Sequence, residues 1–300
     1  MSDATLPPGL YLVGTPIGNL EDITLRALRV LRGVDRVLCE DTRETAHLIS
    51  HYGIKAPLQS CDEHKEQTCA EEAAARIRAG ERLALVTDAG LPGISDPGAR
   101  VAAAVAAAGL PVVPIPGANA ALTALVGSGL MAQQFLFCGF LPSRSGARRT
   151  ELERLQGMVR AGAEPLVLVF YEAPHRILEM LDDVAGAWGS GCRTVLAREL
   201  TKLHEEFLRG TAAEVRAALG KRDRVRGEMV VLVEATPAAG SAGAEQETIP
   251  TLVARLIGEG LSEKDALKRV ARERGLGKSE IYREWQRTMP QRPGHPGRDR

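Results

Sequence analysis

The chain has 300 residues, 44% of them hydrophobic and 25% charged, and its 38 basic side chains balance its 38 acidic ones. This length favours two packed domains of ordinary size over one large core, and the balanced charge argues against a uniformly basic protein that coats RNA. No apolar run approaches the roughly 20 residues that a membrane-spanning helix needs, and residues 1–9 lack the basic start and apolar centre of a signal peptide. We therefore predict a cytoplasmic protein without a membrane anchor.

Residues 1–116 alternate short apolar runs with helical patterns, which is typical of βαβ units and a mainly parallel sheet. The predicted strands are Leu10–Val13, Arg36–Cys39, Leu83–Val86 and Val112–Ile115. The predicted helices are Ile23–Leu31, Thr68–Ala79 and Ala99–Ala108. This part of the chain is predicted to form an amino-terminal α/β domain.

Two loops rich in glycine and proline follow the first and third of these strands. They are GTPIGNL at residues 14–20 and DAGLPGISDPG at residues 88–98, here called loop 1 and loop 2. In an open α/β sheet such loops lie at the carboxyl ends of the strands, where small ligands bind. Glycine lets the backbone approach a ligand closely, and proline holds that backbone in one shape. The two loops therefore predict a binding cleft.

Residues 117–236 are predicted to form a second α/β domain. Its predicted strands are Phe135–Phe140, Leu166–Tyr171, Thr194–Ala197 and Met229–Val233. Its predicted helices are Arg149–Val159, Arg176–Ala185 and Ala212–Leu219. The segment Leu203–Arg209 stays open, because it fits either an extra strand or a loop.

The carboxyl-terminal part has a different composition. Residues 237–248 (PAAGSAGAEQET) are small, polar and rich in glycine, which predicts a flexible linker. Residues 249–289 predict three short helices in a helix-turn-helix-like module, and residues 290–300 predict a disordered tail. Residues 250–300 carry twelve Lys/Arg against seven Asp/Glu, an excess of five. The module is predicted to contact RNA or the ribosome, with a packing appendage or a dimer clasp as the alternative.

The five cysteines are an odd number without CxxC spacing, which argues against a secreted disulfide framework and predicts reduced thiols. They are Cys39, Cys61, Cys69, Cys138 and Cys192. Cys61, His64 and Cys69 suggest a metal only weakly, because a fourth ligand is lacking. We predict that the protein holds no metal ion.

Eight sequence blocks occur in order and carry a family resemblance. They are GTPIGNLEDITLRAL (14–28), EDTRETAHL (40–48), DAGLPGISDPG (88–98), PIPGANAALTAL (114–125), FCGFLPSR (137–144), FYEAPHR (170–176), ARELTKLHEE (197–206) and GEMVVLVE (227–234). With these blocks the chain resembles the ribosomal RNA small subunit methyltransferase I family of the tetrapyrrole-methylase-like superfamily. The resemblance implies a two-domain class III methyltransferase fold, α/β in both domains. It also implies S-adenosylmethionine as methyl donor, 2′-O-methylation of a cytidine in 16S rRNA of the small ribosomal subunit, and a homodimer.

The resemblance further implies a donor site between the two halves. The implied donor-binding residues are Pro16, Ile17, Asp88, Gly90, Leu91, Ile94, Gly117, Ala118, Tyr171, Ala197 and Met229. Main-chain groups of such loops can contact the polar ends of the donor, while apolar side chains exclude water.

Charged residues of the same blocks are candidates for the acceptor side, because a ribose hydroxyl is a poor nucleophile that needs help with its proton. The predicted catalytic residues are Glu40, Asp41 and Glu199, with His64 as a further candidate for the proton. Contacts to RNA phosphates are predicted for Arg43, Arg176, Arg198 and Lys202.

Two other functions stay open. A tetrapyrrole or other small-molecule methylase of the same superfamily would share the donor loops, and a non-catalytic ribosome-binding factor would keep the fold alone. The EDTR block, the FYEAPHR block and the basic tail favour RNA over a small molecule, and the intact donor loops favour an enzyme.

Overall fold

A computed structural model describes residues 6–131, 133–161, 164–236, 249–258, 260–274 and 277–286. The chain divides into two units, residues 1–237 and 238–300, and each is described by itself. The predicted linker at residues 237–248 and the predicted tail at residues 290–300 lie outside the described residues.

The first sheet has five parallel strands in the order β3-β2-β4-β1-β5. They are β1 (Gly9–Val13), β2 (Arg36–Cys39), β3 (Leu58–Ser60), β4 (Arg82–Val86) and β5 (Val112–Ile115). The connecting helices are α1 (Leu25–Gly33), α2 (Thr42–His51), α3 (Glu66–Arg78) and α4 (Ala99–Ala107). The central strands are apolar at successive positions because helices cover both faces of the sheet: α1 and α2 pack on one face, and α3 and α4 on the other.

The four predicted strands of this half are confirmed within one residue, but α2 and β3 are additions. Helix α2 was missed because most of its residues are polar, and only Thr45 and Ile49 are buried. Its start is fixed by Asp41, whose carboxylate accepts a hydrogen bond from the Arg43 N–H at 2.8 Å. Strand β3 has three residues, none of them fully buried, so it leaves almost no hydrophobic pattern.

The second sheet has the order β6-β7-β10-β8-β9. Its strands are β6 (Phe135–Phe140), β7 (Leu166–Glu172), β8 (Arg193–Arg198), β9 (Glu206–Thr211) and β10 (Met229–Ala235). The associated helices are α5 (Ala120–Ser128), α6 (Ser145–Ala161), α7 (Ile177–Trp188) and α8 (Ala212–Gly220). Only β6 and β7 pair in parallel, and β9 confirms that an extra strand follows β8 as an antiparallel partner.

The two faces of the second sheet have different partners. Helices α6, α7 and α8 cover one face. Helix α5, which the sequence analysis did not predict, covers the other face with Ala121 and Ala124. Ile17 of loop 1 belongs to the same hydrophobic cluster. The second sheet is therefore packed directly against a loop of the first half.

The loops at the carboxyl ends of β1, β4 and β5 are tied together by their backbones. Thr15 and Gly90 exchange two hydrogen bonds, N–H of Thr15 to O of Gly90 at 2.9 Å and N–H of Gly90 to O of Thr15 at 3.1 Å. Gly14 lies so close to Gly117 that a Cβ added to Gly14 would stand 2.8 Å from the Gly117 Cα. Only glycine fits there, because the neighbour is backbone and cannot move aside.

The second unit consists of α9 (Ile249–Gly258), α10 (Glu263–Arg274) and α11 (Lys278–Gln286). These helices share a small core that includes Leu252, Val253, Val270, Ile281 and Trp285. The Asp265 N–H donates to the Ser262 hydroxyl at 3.2 Å, which caps the start of α10. The unit is thus a three-helix module with a hydrophobic core of its own.

Gly14→Ala is expected to lower the free energy of unfolding by about 1–3 kcal/mol, the usual range for an overpacked interior, because the new methyl would meet the Gly117 backbone. Gly157→Ala is the control: Gly157 lies on α6 with no heavy atom within 4 Å of the added methyl, so it should gain about 0.5–1 kcal/mol. Urea denaturation measures both. A Gly14→Ala protein with the same free energy of unfolding as wild type would show that this backbone contact is dispensable.

Candidate functional site

The main cleft lies at the carboxyl edge of the first sheet and is closed from the other side by the second sheet. It has a cavity volume of about 430 Å³. Loop 2 supplies one wall from Asp88 to Asp96, and the ends of β7, β8 and β10 supply the opposite wall. The cleft that the two loops predicted is therefore present at the expected sheet edge.

Most of the predicted donor residues line this cleft, although they come from separate parts of the chain. They are Ile17, Asp88, Gly90, Leu91, Ile94, Tyr171, Ala197 and Met229. Pro16 lines a neighbouring pocket instead. Gly117 holds loop 1 through Gly14, and the Ala118 carbonyl lies 3.7 Å from where a Cβ of Gly90 would stand. The structure thus brings the predicted set together, and its role in donor binding stays a prediction.

One side of the cleft is apolar and aromatic. The Tyr171 ring contacts Phe137 and Phe140 edge to face, with centroid distances of 5.1 and 5.6 Å. Burial raises the pKa of Tyr171, so its hydroxyl stays protonated at neutral pH. Phe140 and Ile94 are both partly exposed, at 56% and 37%, which leaves an apolar surface open to a ligand.

Five carboxylates among the described residues line the cleft. Glu172 and Glu228 are paired with Arg176 and Lys202, whereas Glu40, Asp88 and Asp96 have raised pKa values. Burial first, and then the negative charge of Asp88, raises the pKa of Asp96 to about 6. The pKa of Glu40 is raised by burial and then by Asp88 and Asp96, and the pKa of Asp88 is raised mainly by burial. Ionised carboxylates crowded together in this way favour a cationic ligand.

The backbone of loop 2 is held in an unusual shape that places Asp96 in the cleft. Ser95 has φ +63°, a left-handed conformation that side chains other than glycine rarely adopt. The loop is closed by a hydrogen bond from the Gly93 N–H to the Pro97 carbonyl at 3.1 Å. At its end the buried Glu66 accepts from the N–H groups of Gly98 and Arg100 at 2.8 and 3.0 Å, and so caps α4 from α3.

Asp96 and Glu66 are the functional candidates that sequence reasoning missed. The Asp-Pro-Gly run just before a helix was a usable signal for Asp96. Nothing in the local pattern pointed to Glu66, because its partners lie more than 30 residues away and its role depends on the packing of α3 against α4.

The three predicted catalytic carboxylates differ in their surroundings. Glu40 lines the cleft and has a raised pKa. The Arg43 guanidinium holds the pKa of Asp41 down to about 2. Burial opposes ionisation of Glu199, yet hydrogen bonds from the Glu228 N–H and the Lys202 ammonium outweigh it and lower its pKa. Of these three carboxylates Glu40 alone lines the cleft, so the geometry favours it as the general base.

The segment after β8 is strained. Glu199 and Thr201 have φ of +53° and +65°, and Thr201 is β-branched, so this conformation is costly. The Lys202 ammonium lies 3.1 Å from the Glu199 carboxylate and 2.9 Å from that of Glu228. Loop 1 packs on this segment through Gly18, where an added Cβ would approach the Lys202 side chain to 2.5 Å.

The predicted phosphate-binding residues are unequally accessible. The side chain of Arg43 is 84% exposed, although it pairs with Asp41. Arg176 is mostly buried and bound to Glu172 and to the Leu141 carbonyl. Arg198 is mostly buried against Glu206. Their contacts with RNA stay predictions, and of the three arginines Arg43 is the one that a phosphate can readily reach.

Within the described ranges, no group of three or more His, Cys, Asp or Glu side chains is placed to hold a metal ion. Cys61 and Cys69 are buried, and burial raises the pKa of both thiols. His64 is exposed and lines neither the main cleft nor the neighbouring pocket. Among the same described residues, no helix is both long and apolar enough to span a bilayer.

Comparison with known proteins places this geometry in a family. The family model of Tetrapyrrole (Corrin/Porphyrin) Methylases matches residues 9–216. Ribosomal RNA small subunit methyltransferase I of Bacillus subtilis (strain 168) is 42% identical over 278 residues, which cover 91% of this chain and 92% of that protein. The protein of the same name from Micromonospora olivasterospora is 43% identical over 289 residues, 96% of this chain and 89% of that protein.

A solved structure shares the fold at low sequence identity. Uroporphyrin-III C-methyltransferase from Thermus thermophilus, complexed with S-adenyl homocysteine, is 19% identical with a TM-score of 0.51. The match covers 75% of this chain and 96% of that one. At this identity the comparison supports the architecture alone.

The raised pKa of Asp96 predicts a pH-dependent stability. The folded protein binds this proton more tightly than the unfolded chain, whose value is near 3.8, so the contribution of Asp96 to stability falls as pH rises from about 4 to 6. Asp96→Asn removes this effect. Relative to wild type, the variant should gain about 1–2 kcal/mol in free energy of unfolding between pH 4.5 and 7.5, allowing for partial exposure of the side chain. Urea denaturation of both proteins at the two pH values measures this gain. Free energies of unfolding that change equally with pH in both proteins would contradict the prediction.

Proposed function

This chain belongs to the tetrapyrrole (corrin/porphyrin) methylase family and, within it, to the ribosomal RNA small subunit methyltransferase I family, and from that membership we propose its reaction. The protein transfers a methyl group from S-adenosylmethionine to the 2′-hydroxyl of a cytidine in 16S rRNA of the small ribosomal subunit. The observation that carries this proposal is similarity at 42% identity over nine tenths of the chain, combined with a cleft that gathers the residues implied by the family blocks. An enzyme with this substrate acts in the cytoplasm.

The main cleft fits an S-adenosylmethionine donor. Gly90 has φ +81°, and an added Cβ there would meet nothing closer than Ile17 at 3.6 Å, so the glycine is required by the backbone shape and leaves room for a ligand. The apolar wall around Tyr171 suits an adenosine, and the carboxylates suit the α-ammonium group and the sulfonium. When bound, the donor supplies an electrophilic methyl group.

The side chains of this protein then act on the acceptor. Methyl transfer is an in-line displacement, so positioning the ribose oxygen opposite the leaving sulfur carries much of the rate. We assign Glu40 to the hydroxyl proton, because of the three carboxylates predicted to act on the acceptor it is the one that lines the cleft. Asp41 then has a structural role, because its carboxylate caps α2 and its N–H donates to the Asp88 carboxylate at 3.2 Å.

The small-molecule alternative has less support. Enzymes that act on tetrapyrroles share the fold with this chain, but the solved example is only 19% identical, whereas the relatives at 42–43% identity are named for ribosomal RNA. The carboxylate-lined cleft with its raised pKa values also favours a catalytic protein over a binding factor that kept only the fold.

RNA contact is assigned to two places outside the cleft. Arg43 stands exposed at the start of α2, close to the cleft loops through Asp41 and Asp88. The carboxyl-terminal part, residues 250–300, adds its excess of five basic residues, which suits docking on a phosphate backbone.

A homodimer is assigned to the exposed apolar face of α5 and the turn that follows it. Leu122 and Val126 lie four residues apart on α5 and are 47% and 87% exposed. Met131 and Phe135, which follow α5 in the chain, are also exposed. Neighbouring exposed apolar side chains of this size are typical of a subunit interface.

The proposed reaction is tested by incubating the purified protein with unmodified small ribosomal subunits and labelled S-adenosylmethionine. Methylation of one cytidine ribose, mapped by primer extension at low nucleotide concentration, is expected for wild type. Glu40→Gln should lower kcat by roughly 10²–10⁴, the usual contribution of a general base, with donor affinity measured by calorimetry nearly unchanged. Label on a base, or no label on rRNA, would refute the proposed reaction. A fully active Glu40→Gln enzyme would refute only the assigned base.

Truncation after Ala235 distinguishes the two predicted roles of the module, contact with RNA and support of the dimer. We expect the shortened protein to stay a dimer in sedimentation, because α5 lies in the first unit. Its KM for small subunits should rise more than its kcat falls, since the module raises the effective concentration of RNA at the cleft. A truncated protein that sediments as a monomer would assign the module to the dimer instead.

A further inference from the structure

A second cavity of about 440 Å³, here called the α2 pocket, lies beside the main cleft. Loop 1 forms one wall with residues 15–18 and Leu20. The opposite wall is the face of α2 that carries Glu44, His47 and His51. Lys202 lines it as well, with its ammonium paired to the carboxylates of Glu199 and Glu228.

The α2 pocket and the main cleft adjoin each other. Ile17, Asp88, Ala89 and Glu228 line both cavities. A group bound in the α2 pocket therefore lies one side chain away from a group bound in the main cleft. This arrangement matches an in-line transfer, in which the acceptor approaches the donor from a separate side.

We propose that the α2 pocket is the acceptor subsite, which holds the extruded pyrimidine nucleotide of the RNA while its ribose faces the main cleft. The inference rests on the proposed function, because it takes the main cleft as the donor site. At about 430 Å³ the main cleft is at the low end for small-molecule sites, so one nucleoside-sized donor fills it and the acceptor needs a cavity of its own.

The walls of the α2 pocket suit a nucleotide. His47 and His51 are four residues apart on α2, so they lie one above the other on the same face, and both are exposed. An imidazole ring offers a flat surface for a base and N–H groups for a phosphate. The Glu44 carboxylate lies one turn earlier and can accept from the exocyclic amino group of a cytosine.

Helix α2 is fixed to the loops of the site at both ends. At its start the Asp41 N–H donates to the Asp88 carboxylate at 3.2 Å. Just past its end the Tyr52 hydroxyl donates to the carbonyl of Leu20 in loop 1. The His47 and His51 side chains are thus presented by a helix that is anchored to the same loops that shape the main cleft, which is how a binding face is kept in place.

The test compares the full-length wild-type protein, the double variant His47→Ala/His51→Ala and the control His204→Ala. His204 is an exposed histidine between β8 and β9 that lines neither cavity. Methylation of small ribosomal subunits and calorimetry with S-adenosylmethionine are measured on all three. Stacking of a base on a ring is worth roughly fivefold to a hundredfold in affinity, so the KM of the double variant for small subunits should rise by about that factor.

Donor affinity should stay within twofold in the double variant, and His204→Ala should match wild type. A photoactivatable benzophenone side chain placed at position 47 should crosslink to rRNA next to the methylated nucleotide, whereas one at position 204 should not. Unchanged KM and kcat in the double variant, or loss of donor affinity in it, would overturn the subsite. A wild-type protein that methylates no rRNA would instead overturn the proposed function, and the subsite with it.

Discussion

The site depends on a contact between backbones at the carboxyl edge of the first sheet. Gly14 and Gly117 approach so closely that neither can carry a side chain, and the Thr15 to Gly90 pair joins the loop after β1 to the loop after β4. These contacts hold three loops as one platform. Ile17 then packs into the core under the second sheet, so the platform also sets the width of the main cleft.

Carboxylates in the main cleft and carboxylates at the periphery have pKa values shifted in opposite directions. In the main cleft the pKa values of Glu40, Asp88 and Asp96 are raised, mainly by burial and further by neighbouring carboxylates. At the periphery, carboxylates are paired with arginine or lysine and their pKa values are lowered, as for Asp41 with Arg43 and Glu206 with Arg222. The carboxylates paired with a basic side chain stabilise the fold. A bound ligand can change the protonation of the cleft carboxylates whose pKa values are raised.

The sequence predicted the strands, both loops and most of the cleft lining, because buried parallel strands and turn-forming loops leave strong local patterns. The polar helix α2 and the short strand β3 leave weak ones, and so they were missed. The α2 pocket was missed with them, since the spacing of His47 and His51 has meaning only once the segment is a helix. The pairing of Arg176 with Glu172 and of Arg198 with Glu206 depends on side-chain burial. Among these pairs, Arg198 and Glu206 come from two strands whose register the sequence did not predict.

The position of β1 has a consequence for how the protein is made. This strand is synthesised before the strands that it pairs with, since it lies between β4 and β5, and its Leu10 pairs with Leu83 and Val112. Its hydrophobic edges stay without partners until about a hundred further residues have been synthesised, which at typical rates takes several seconds or more. Contacts this distant in sequence slow folding and expose apolar strand edges in the meantime. Strand β1 is therefore a segment that a chaperone is expected to shield during synthesis.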